Sequence, residues 1–467
     1  MTVTPSATPL SLIASPELAR DDAEGLRSWV RANRVEEIEC VTPDLAGIAR
    51  GKVMPTAKFL REPGVRLPTS IFYATINGGY VENAGPILHT DPDLVLVPDY
   101  ATSRAVPWAT DVSLSIIHDV VDHEGNAYPL APRQVLRQVC DLYAAQGWTP
   151  VVAPELEFYL TQPNTDPDLP LEPPLGRSGR QSHGNQAFSL SAVDEYEPVI
   201  ELIYDYADAQ NLAIDTIIQE SGAAQLEINT IHGHPVKLAD EIFLFKRLIR
   251  EAALRCGCYA TFMAKPYSEQ PGSAMHIHMS VTDGAGRNVF SRQDGSPSAL
   301  HDGFVGGQQR YFHDAIALAA PYVNSYRRLT PGMAAPINLD CAEDNRTTGL
   351  RLPRSGPQAR RIENRVVGAD ANPYLALAAC LACGYLGMTQ NVAPRAKVAT
   401  EVDSYTRARD LPYSVLDGIE ALRQSADLAG VLGAEFVEVY AQVKYAEYEE
   451  FMRVISPWER EHLLLNV

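Results

Sequence analysis

The chain has little of what membrane insertion or secretion requires. Its most apolar stretch, residues 371–388, contains Asn372 and Pro373 and leaves too few apolar residues to span a bilayer, so we expect a buried helix there. Residues 1–22 lack a basic region followed by an apolar core, which predicts that there is no secretory signal peptide. We therefore expect a cytoplasmic protein without a membrane partner.

Positive charge and cysteine are also scarce. The chain has 39 Lys and Arg residues and 58 Asp and Glu residues, which gives a formal net charge of −19 at pH 7. This charge argues against a nucleic-acid partner, because phosphate binding needs a basic surface. The seven cysteines are scattered, and Cys380 and Cys383 lie at helical spacing inside the apolar stretch, away from histidines. We expect no zinc or redox site there, and an odd number of cysteines is typical of a reduced compartment.

The pattern along the chain predicts an α+β fold in two domains. Residues 20–125 contain an amphipathic helix and a hairpin-like pair of strands, which is typical of a small β-rich domain. Pro129 and Pro132 indicate a boundary. Residues 130–467 alternate helices with strands, several of them antiparallel, as expected of a larger catalytic domain. One of the predicted strands is ATFMAKP, residues 260–266.

Acidic and imidazole side chains interrupt several apolar strands. The stretch VVAPELEFYL, residues 151–160, predicts a buried strand on which Glu155 and Glu157 share one face, because side chains alternate along a strand. Other strand-like stretches carry Glu220, Glu227, His276, His278 and Glu363. Buried carboxylates without a partner are costly, so this set needs a compensating charge. Carboxylates with imidazole favour Mg²⁺ or Mn²⁺ over zinc.

Arginines form a second group in stretches that are rich in Pro and Gly or resemble strands. They are Arg327, Arg328, Arg346, Arg351, Arg360, Arg361 and Arg365. In such places planar guanidinium groups bind phosphates and carboxylates. Divalent ions and arginines without a Walker-type loop predict a phosphoryl-transfer site built from side chains. Each residue taken singly also has a structural explanation, such as a solvated arginine or a hydrogen-bonded core histidine.

The chain resembles the glutamine synthetase family over nearly its whole length. The matching motifs, in family order, are DLAGIARGKVMP, PELEFYL, ESGAAQLEIN, SAMHIHMS, NSYRRLTPG, NRTTGLRLP and RRIENRVVGADANPYLALAA. RGKVMP, ATFMAKPY and VVGADANPYL are most similar to the γ-glutamylputrescine and γ-glutamylpolyamine synthetase branch. The resemblance implies a small N-terminal β-grasp-like domain and a large catalytic domain with a curved antiparallel sheet. It also implies a homo-oligomer, a dodecamer of two stacked hexamers, with active sites shared between neighbouring subunits.

The resemblance also implies a role for each matched residue. ATP would be used as a substrate with two or three Mg²⁺ or Mn²⁺ ions. One ion is expected at Glu157, Glu220 and Glu227. Another is expected at Glu155, His276 and Glu363. Glutamate binding is expected at Gly272, Arg328, Arg346 and Arg365. ATP binding is expected at His278, Ser280, Arg346 and Arg351. Arg328 and Arg346 are the expected catalytic residues. ATP would phosphorylate the γ-carboxylate of glutamate, and a primary amine would then displace phosphate.

The expected amine pocket departs from that of ammonium-using family members. LPTSIF, residues 67–72, has Thr69 and Ser70 but no acid where those members have one, and Ala334 replaces the glutamate of a flap. Phe188 lies about where a tyrosine is expected. A neutral pocket favours a substituted amine over ammonium. Arg409 stands at the family's nucleotidylation tyrosine, so we expect no such regulation.

The amine itself is left open by the sequence. Thr75 stands where diamine-using relatives tend to have an acid, and Glu82 is the nearest anion for the remote ammonium group of putrescine or a polyamine. A monoamine such as ethanolamine is the other possibility. Two alternatives to an amine ligase are a glutamine synthetase that uses ammonium and a non-catalytic homologue that senses amines.

Overall fold

The computed structural model describes residues 13–81, 87–332 and 334–467. The strands are β1 Glu37–Pro43, β2 Ala49–Pro55, β3 Val65–Pro68, β4 Asp93–Pro98, β5 Arg104–Ala105, β6 Ser113–Val121, β7 Trp148–Thr161, β8 Ile214–Gln219, β9 Gln225–Thr230, β10 Tyr259–Thr261, β11 Met275–Asp283, β12 Cys341–Glu343, β13 Leu350–Leu352 and β14 Ile362–Asn364. The helices are α1 Ala23–Ala32, α2 Thr56–Phe59, α3 Ile87–Thr90, α4 Pro132–Ala145, α5 Leu190–Asp194, α6 Glu197–Ala209, α7 Pro235–Arg255, α8 Ala299–Ala319, α9 Val323–Arg328, α10 Pro373–Thr389, α11 Val415–Gln424, α12 Ala426–Leu432, α13 Ala434–Phe451 and α14 Pro457–Leu463. Within these described ranges, no helix is both long and apolar enough to cross a membrane.

The N-terminal part of the chain forms the smaller sheet. Its described strands follow the order β2-β1-β6-β4-β3, with β5 paired to β6. The predicted hairpin is β1 with β2, and β1 also pairs in parallel with β6, so the sheet is mixed. All of these strands lie inside the predicted N-terminal domain, residues 20–125, whose boundaries stay a prediction together with those of the domain 130–467.

The larger sheet positions the candidate site. Its described strands follow the order β12-β13-β14-β11-β7-β9-β8, with β10 paired to β7. Neighbours are antiparallel, as predicted, except for the parallel pair of β12 and β13 at one edge. Alternate residues such as Leu156, Phe158, Leu226, Ile228 and Ile277 are buried in the core. The residues between them carry the polar groups described below, and the predicted α+β class is confirmed.

The apolar stretch predicted to be a buried helix is α10. Asn372 caps its first turn by accepting from the Tyr374 amide at 3.0 Å, and Pro373 occupies the first turn, where no backbone donor is needed. Helix α10 packs on α8 through glycines: a Cβ on Gly307 would lie 2.2 Å from the Cys383 carbonyl oxygen. All seven cysteines are free thiols.

Two local predictions are wrong. Arg327 and Arg328 lie in the helix α9 and not in a loop, and the Ser325 hydroxyl accepts from the Tyr322 amide at 3.0 Å at the start of this short helix. The stretch ATFMAKP, expected to be a strand, is extended only at its start, where β10 pairs with β7.

A buried arginine joins the smaller sheet to the helices of the larger domain. Arg133, at the start of α4, donates to Asp99 at 2.8 Å and to Asp119 at 2.6 Å. It also donates to both oxygens of Asp240 on α7, at 2.9 and 2.8 Å. One guanidinium group therefore neutralises carboxylates that come from three separate elements.

Replacing this guanidinium group should destabilise the protein strongly. We expect Arg133→Met to lower the free energy of unfolding by about 3–5 kcal/mol, because buried carboxylates lose their counter-charge. Chemical denaturation followed by tryptophan fluorescence measures the change. Arg177→Met is the control: Arg177 forms exposed ion pairs with Asp194 and Glu197, and its loss should cost less than about 1 kcal/mol. Equal effects of the two substitutions would contradict the role assigned to Arg133.

Candidate active site

The registers of four adjacent strands concentrate charged side chains on one face of the larger sheet. Glu157 of β7 lies opposite Glu227 of β9, and Glu155 of β7 lies opposite His276 of β11. His278 of β11 lies in turn opposite Glu363 of β14. Because side chains alternate along each strand, these residues project to the face opposite the apolar core.

Carboxylates and imidazoles meet in three overlapping groups whose ligand atoms lie within 4.8 Å of one another. The groups are Glu157 with Glu220 and Glu227, Glu155 with Glu227 and His276, and Glu155 with His278 and Glu363. The first is the set expected for one divalent ion. The second expected set, Glu155 with His276 and Glu363, is divided between the other two groups, in which Glu227 and His278 take part.

The first group is rich in uncompensated negative charge. Burial and the neighbouring charge of Glu220 raise the pKa of Glu157 to about 8. Burial and the charges of Glu157, Glu155 and Glu220 raise the pKa of Glu227 to about 10. Burial also raises the pKa of Glu220. These carboxyl groups therefore favour their neutral forms unless a cation lies among them.

Glu155 has a different environment because two histidines face it. Burial opposes its ionisation, but hydrogen bonds from His276 and His278 lower its pKa well below the ordinary value. The His278 Nε2 atom lies 3.0 Å from a Glu155 oxygen, and Arg361 donates from Nε to His278 Nδ1 at 3.3 Å. Since Nδ1 accepts from Arg361, Nε2 carries the proton that is donated to Glu155.

Glu363 is held by arginines. Arg351 donates to it at 2.8 Å, and Arg365 donates to its other oxygen. Burial opposes ionisation, but the charges of Arg365, His278 and His276 lower the pKa of Glu363 to about 2. Arg351 and Arg365, expected to bind ATP and glutamate respectively, thus converge on an expected metal ligand.

The expected glutamate residues adjoin Glu157. Arg328 is buried and donates to the carbonyl oxygens of Val366 at 2.7 Å and Arg365 at 3.0 Å. A Cβ on Gly272 would lie 2.6 Å from the Arg328 Cγ atom and from the Ala264 carbonyl oxygen, so only glycine fits against this arginine. Arg346 is exposed, and its carbonyl oxygen accepts from Arg365 at 3.1 Å.

A cavity of about 640 Å³ opens beside Glu155. His278 and Ser280, two of the residues expected to bind ATP, line it together with Arg361 and Gln358. The Asn229 Oδ1 atom in its wall is buried without a hydrogen-bond partner. Arg351 contacts Glu363, and the charge of Arg346 acts on Glu220, so the expected ATP residues lie partly along this cavity and partly beside the acidic groups.

Within the described ranges, no hydrogen bond joins the expected amine-pocket residues to one another. Phe188 and Ala334 are exposed, and both have backbones in the left-handed region, with φ of 62° and 57°. Thr75 lines a separate cavity of about 910 Å³ beside α11 and α13. No hydrogen bond or ion pair within the described ranges joins Thr69, Ser70 or Thr75 to the acidic groups. Glu82 lies outside the described residues.

Asp91 and Tyr405 near these sites were not indicated by the sequence, and Arg361 was given no individual role. Asp91 accepts from the Ser70 amide and hydroxyl, each at 2.8 Å, and so brings an acid to the segment that has none of its own. Arg361 was noted only as one of many arginines, and its contact with His278 depends on the fold. Tyr405 donates to the Ala334 carbonyl at 3.0 Å, and no motif indicated it.

The acidic groups fit hard divalent cations. Carboxylate oxygens dominate each group, imidazole is the second donor, and cysteine is absent from them, as expected for Mg²⁺ or Mn²⁺. The raised pKa values of Glu157 and Glu227 indicate repulsion that a cation would relieve. The donor set therefore fits the ions expected from the sequence.

Metal binding should depend on pH with a definite sign. The folded-state pKa values of Glu157 and Glu227 lie above the ordinary 4.5, so the metal-free folded protein holds protons that the unfolded chain has released. Its free energy of unfolding should therefore fall as the pH rises from about 4.5 to about 8. Mg²⁺ must displace these protons, so its stabilisation of the fold should grow over the same range.

Thermal unfolding with and without Mg²⁺, at about pH 6 and about pH 9, measures this dependence. Glu227→Gln should reduce the Mg²⁺-dependent rise in Tm, whereas Glu449→Gln, which changes an exposed residue of α13, should leave it unchanged. A Mg²⁺ effect that is absent, or that is larger at the lower pH, would contradict this assignment.

Comparison with known proteins adds independent findings. The family model described as glutamine synthetase, catalytic domain, matches residues 129–463. The γ-glutamylputrescine synthetase PuuA of Escherichia coli (strain K12) is 34% identical over 446 residues, 93% of each chain. The glutamate–isopropylamine ligase of a Pseudomonas species is 29% identical over 451 residues, 93% of this chain and 96% of that protein. A solved GmaS/ADP complex has a TM-score of 0.80 and 28% identity, with 95% of this chain and 99% of that chain covered.

Proposed function

Because the chain belongs to the glutamine synthetase family, we propose that it is an ATP-dependent ligase that joins the γ-carboxylate of glutamate to a primary amine. The observation that carries the proposal is the group formed by Glu157, Glu220 and Glu227, on which the charges of nearby arginines act. A cavity of about 640 Å³ opens beside the neighbouring Glu155. Two relatives named for amine substrates, putrescine in one and isopropylamine in the other, support the reaction class.

The proposed reaction has two steps. In the first, the γ-carboxylate of glutamate attacks the terminal phosphorus of ATP, and ADP leaves. In the second, the neutral amine nitrogen attacks the acyl carbon, phosphate leaves, and the nitrogen releases a proton to solvent to give the amide. In the proposed reaction Arg346 and Arg365 stabilise the negative charge of the transferred group, and Arg328 packs against Gly272 in the proposed glutamate pocket. Divalent ions held by the acidic groups would neutralise the phosphate charge.

We propose a substituted amine as the second substrate, either putrescine or a polyamine, or a monoamine such as ethanolamine. At the flap position Ala334 offers a methyl group and a carbonyl oxygen in place of a carboxylate. A neutral wall lacks the charge that captures ammonium, and it leaves room for a carbon substituent on the nitrogen.

The N-terminal segment can contribute to the proposed amine pocket only in an assembly of several copies. Thr69, Ser70 and Thr75 lie against their own domain and α13, away from the acidic groups of the same chain. We therefore propose that they contribute to the amine pocket of a neighbouring copy. The dodecamer of two stacked hexamers and the cytoplasmic location stay predictions from the sequence.

An amine panel tests the proposal. Purified protein with ATP, Mg²⁺ and glutamate is given ammonium, putrescine, spermidine, ethanolamine or isopropylamine, and both phosphate and the γ-glutamyl amide are measured. We expect the best amine to exceed ammonium in kcat/KM by at least about tenfold, because a charged hydrogen bond is worth about 1.5–3 kcal/mol.

The controls separate the alternatives. Glu157→Gln should abolish amide formation with every amine, and Glu124→Gln, which changes an exposed residue after β6, should leave it unchanged. Ammonium equal to the best amine would favour a glutamine synthetase. No product with any amine would favour a non-catalytic amine sensor, for which amine binding without turnover is the remaining readout.

A further inference from the structure

A tyrosine outside every family motif lies at the wall of the proposed amine pocket. The Tyr405 hydroxyl lies 3.0 Å from the Ala334 carbonyl oxygen and 3.4 Å from that of Arg346. The same Arg346 oxygen accepts from Arg365 Nε at 3.1 Å. One phenol thus connects the flap position to the loop of the proposed glutamate site.

The segment 400–406 is held in place without help from the Tyr405 hydroxyl. Asn345 donates to the carbonyl oxygens of Thr400 at 3.1 Å and Val402 at 2.7 Å. Thr347 accepts from the Ser404 amide at 2.8 Å, and Asn338 donates to the Ser404 carbonyl at 2.9 Å. Removing the hydroxyl should therefore change its own contacts and leave the segment in position.

The flap position needs such a contact. Ala334 has a φ of 57°, a left-handed conformation that alanine adopts only at an energetic cost and that surrounding contacts must maintain. The Tyr405 hydroxyl is the described side-chain donor to this residue's carbonyl oxygen. It therefore helps to hold Ala334 in this conformation.

Tyr405 also lies near charged residues of the proposed site. Burial raises the pKa of Tyr405, while the positive charges of Arg365 and Arg328 oppose the rise, so those guanidinium groups lie close to the phenol. Glu157 is near enough to act on it as well. Tyr405 thus lies between the flap position and the acidic and basic groups of the site.

We infer that Tyr405 is a positioning residue that couples ATP use to amide formation by holding the Ala334 backbone over the acyl phosphate. The inference rests on the proposed function. An amine that attacks the acyl carbon gives the amide and phosphate. Water that attacks the same carbon gives glutamate and phosphate, so ATP is spent without product. Tyr405 limits the second reaction by fixing the backbone that covers the acyl group.

The test is Tyr405→Phe, which keeps the ring and removes only the hydroxyl. We expect the phosphate released per amide formed to rise about fivefold, the effect of one net hydrogen bond. The Tyr405→Phe variant should still release phosphate from ATP and glutamate when no amine is present. Tyr413→Phe is the matched control: Tyr413 is exposed in the same region, and its ring lies on Arg409, so the ratio should not change.

The outcomes separate this inference from the proposed function. A wild-type protein that forms amide, with a Tyr405→Phe variant of unchanged phosphate-to-amide ratio, would overturn the role of Tyr405 alone. A parallel loss of both products would also overturn it, because a merely structural role lowers them together. A wild-type protein that forms no amide would overturn the proposed function and this inference with it.

Discussion

The whole site depends on like charges held close together on one face of a β-sheet. Strand pairing sets Glu157 opposite Glu227, and the turn after β8 adds Glu220 to the same group. No Lys or Arg of the described ranges forms an ion pair with Glu220 or Glu227, whereas Glu363 has two arginines. Burial makes this repulsion expensive, so the fold keeps a place that only protons or added cations can neutralise. A phosphate-bearing substrate that arrives with divalent ions meets that requirement.

Much of this arrangement could be predicted from the sequence. The alternation in VVAPELEFYL indicated that Glu155 and Glu157 share a face, and the motifs predicted the family and the ligase class, which the family model and the named relatives confirm. Strand register could not be predicted from alternation, because a shift of pairing by two residues keeps the same faces. The structure sets His278 opposite Glu363 and His276 opposite Glu155, and the second metal set, which the resemblance implied, stays a prediction.

The amine side of the site was harder to predict because it depends on contacts between segments distant in sequence. The segment 67–72 has no acid, yet Asp91 reaches Ser70 from beyond α3. Tyr405 carries no motif, and its contact with Ala334 exists only because polar side chains around Asn345 hold its segment in place. The neutral flap position and the phenol beside it are the basis of our proposal that the amine is selected by shape and by exclusion of water more than by charge.

The most direct test is a crystal structure with Mn²⁺ and a nucleotide, with the ions located by anomalous scattering. The account predicts Mn²⁺ peaks within coordination distance of Glu157, Glu220 and Glu227, and a further peak beside Glu155. Nucleotide bound with no Mn²⁺ peak at these carboxylates would contradict it, because the buried carboxylates would then repel one another without binding a metal ion.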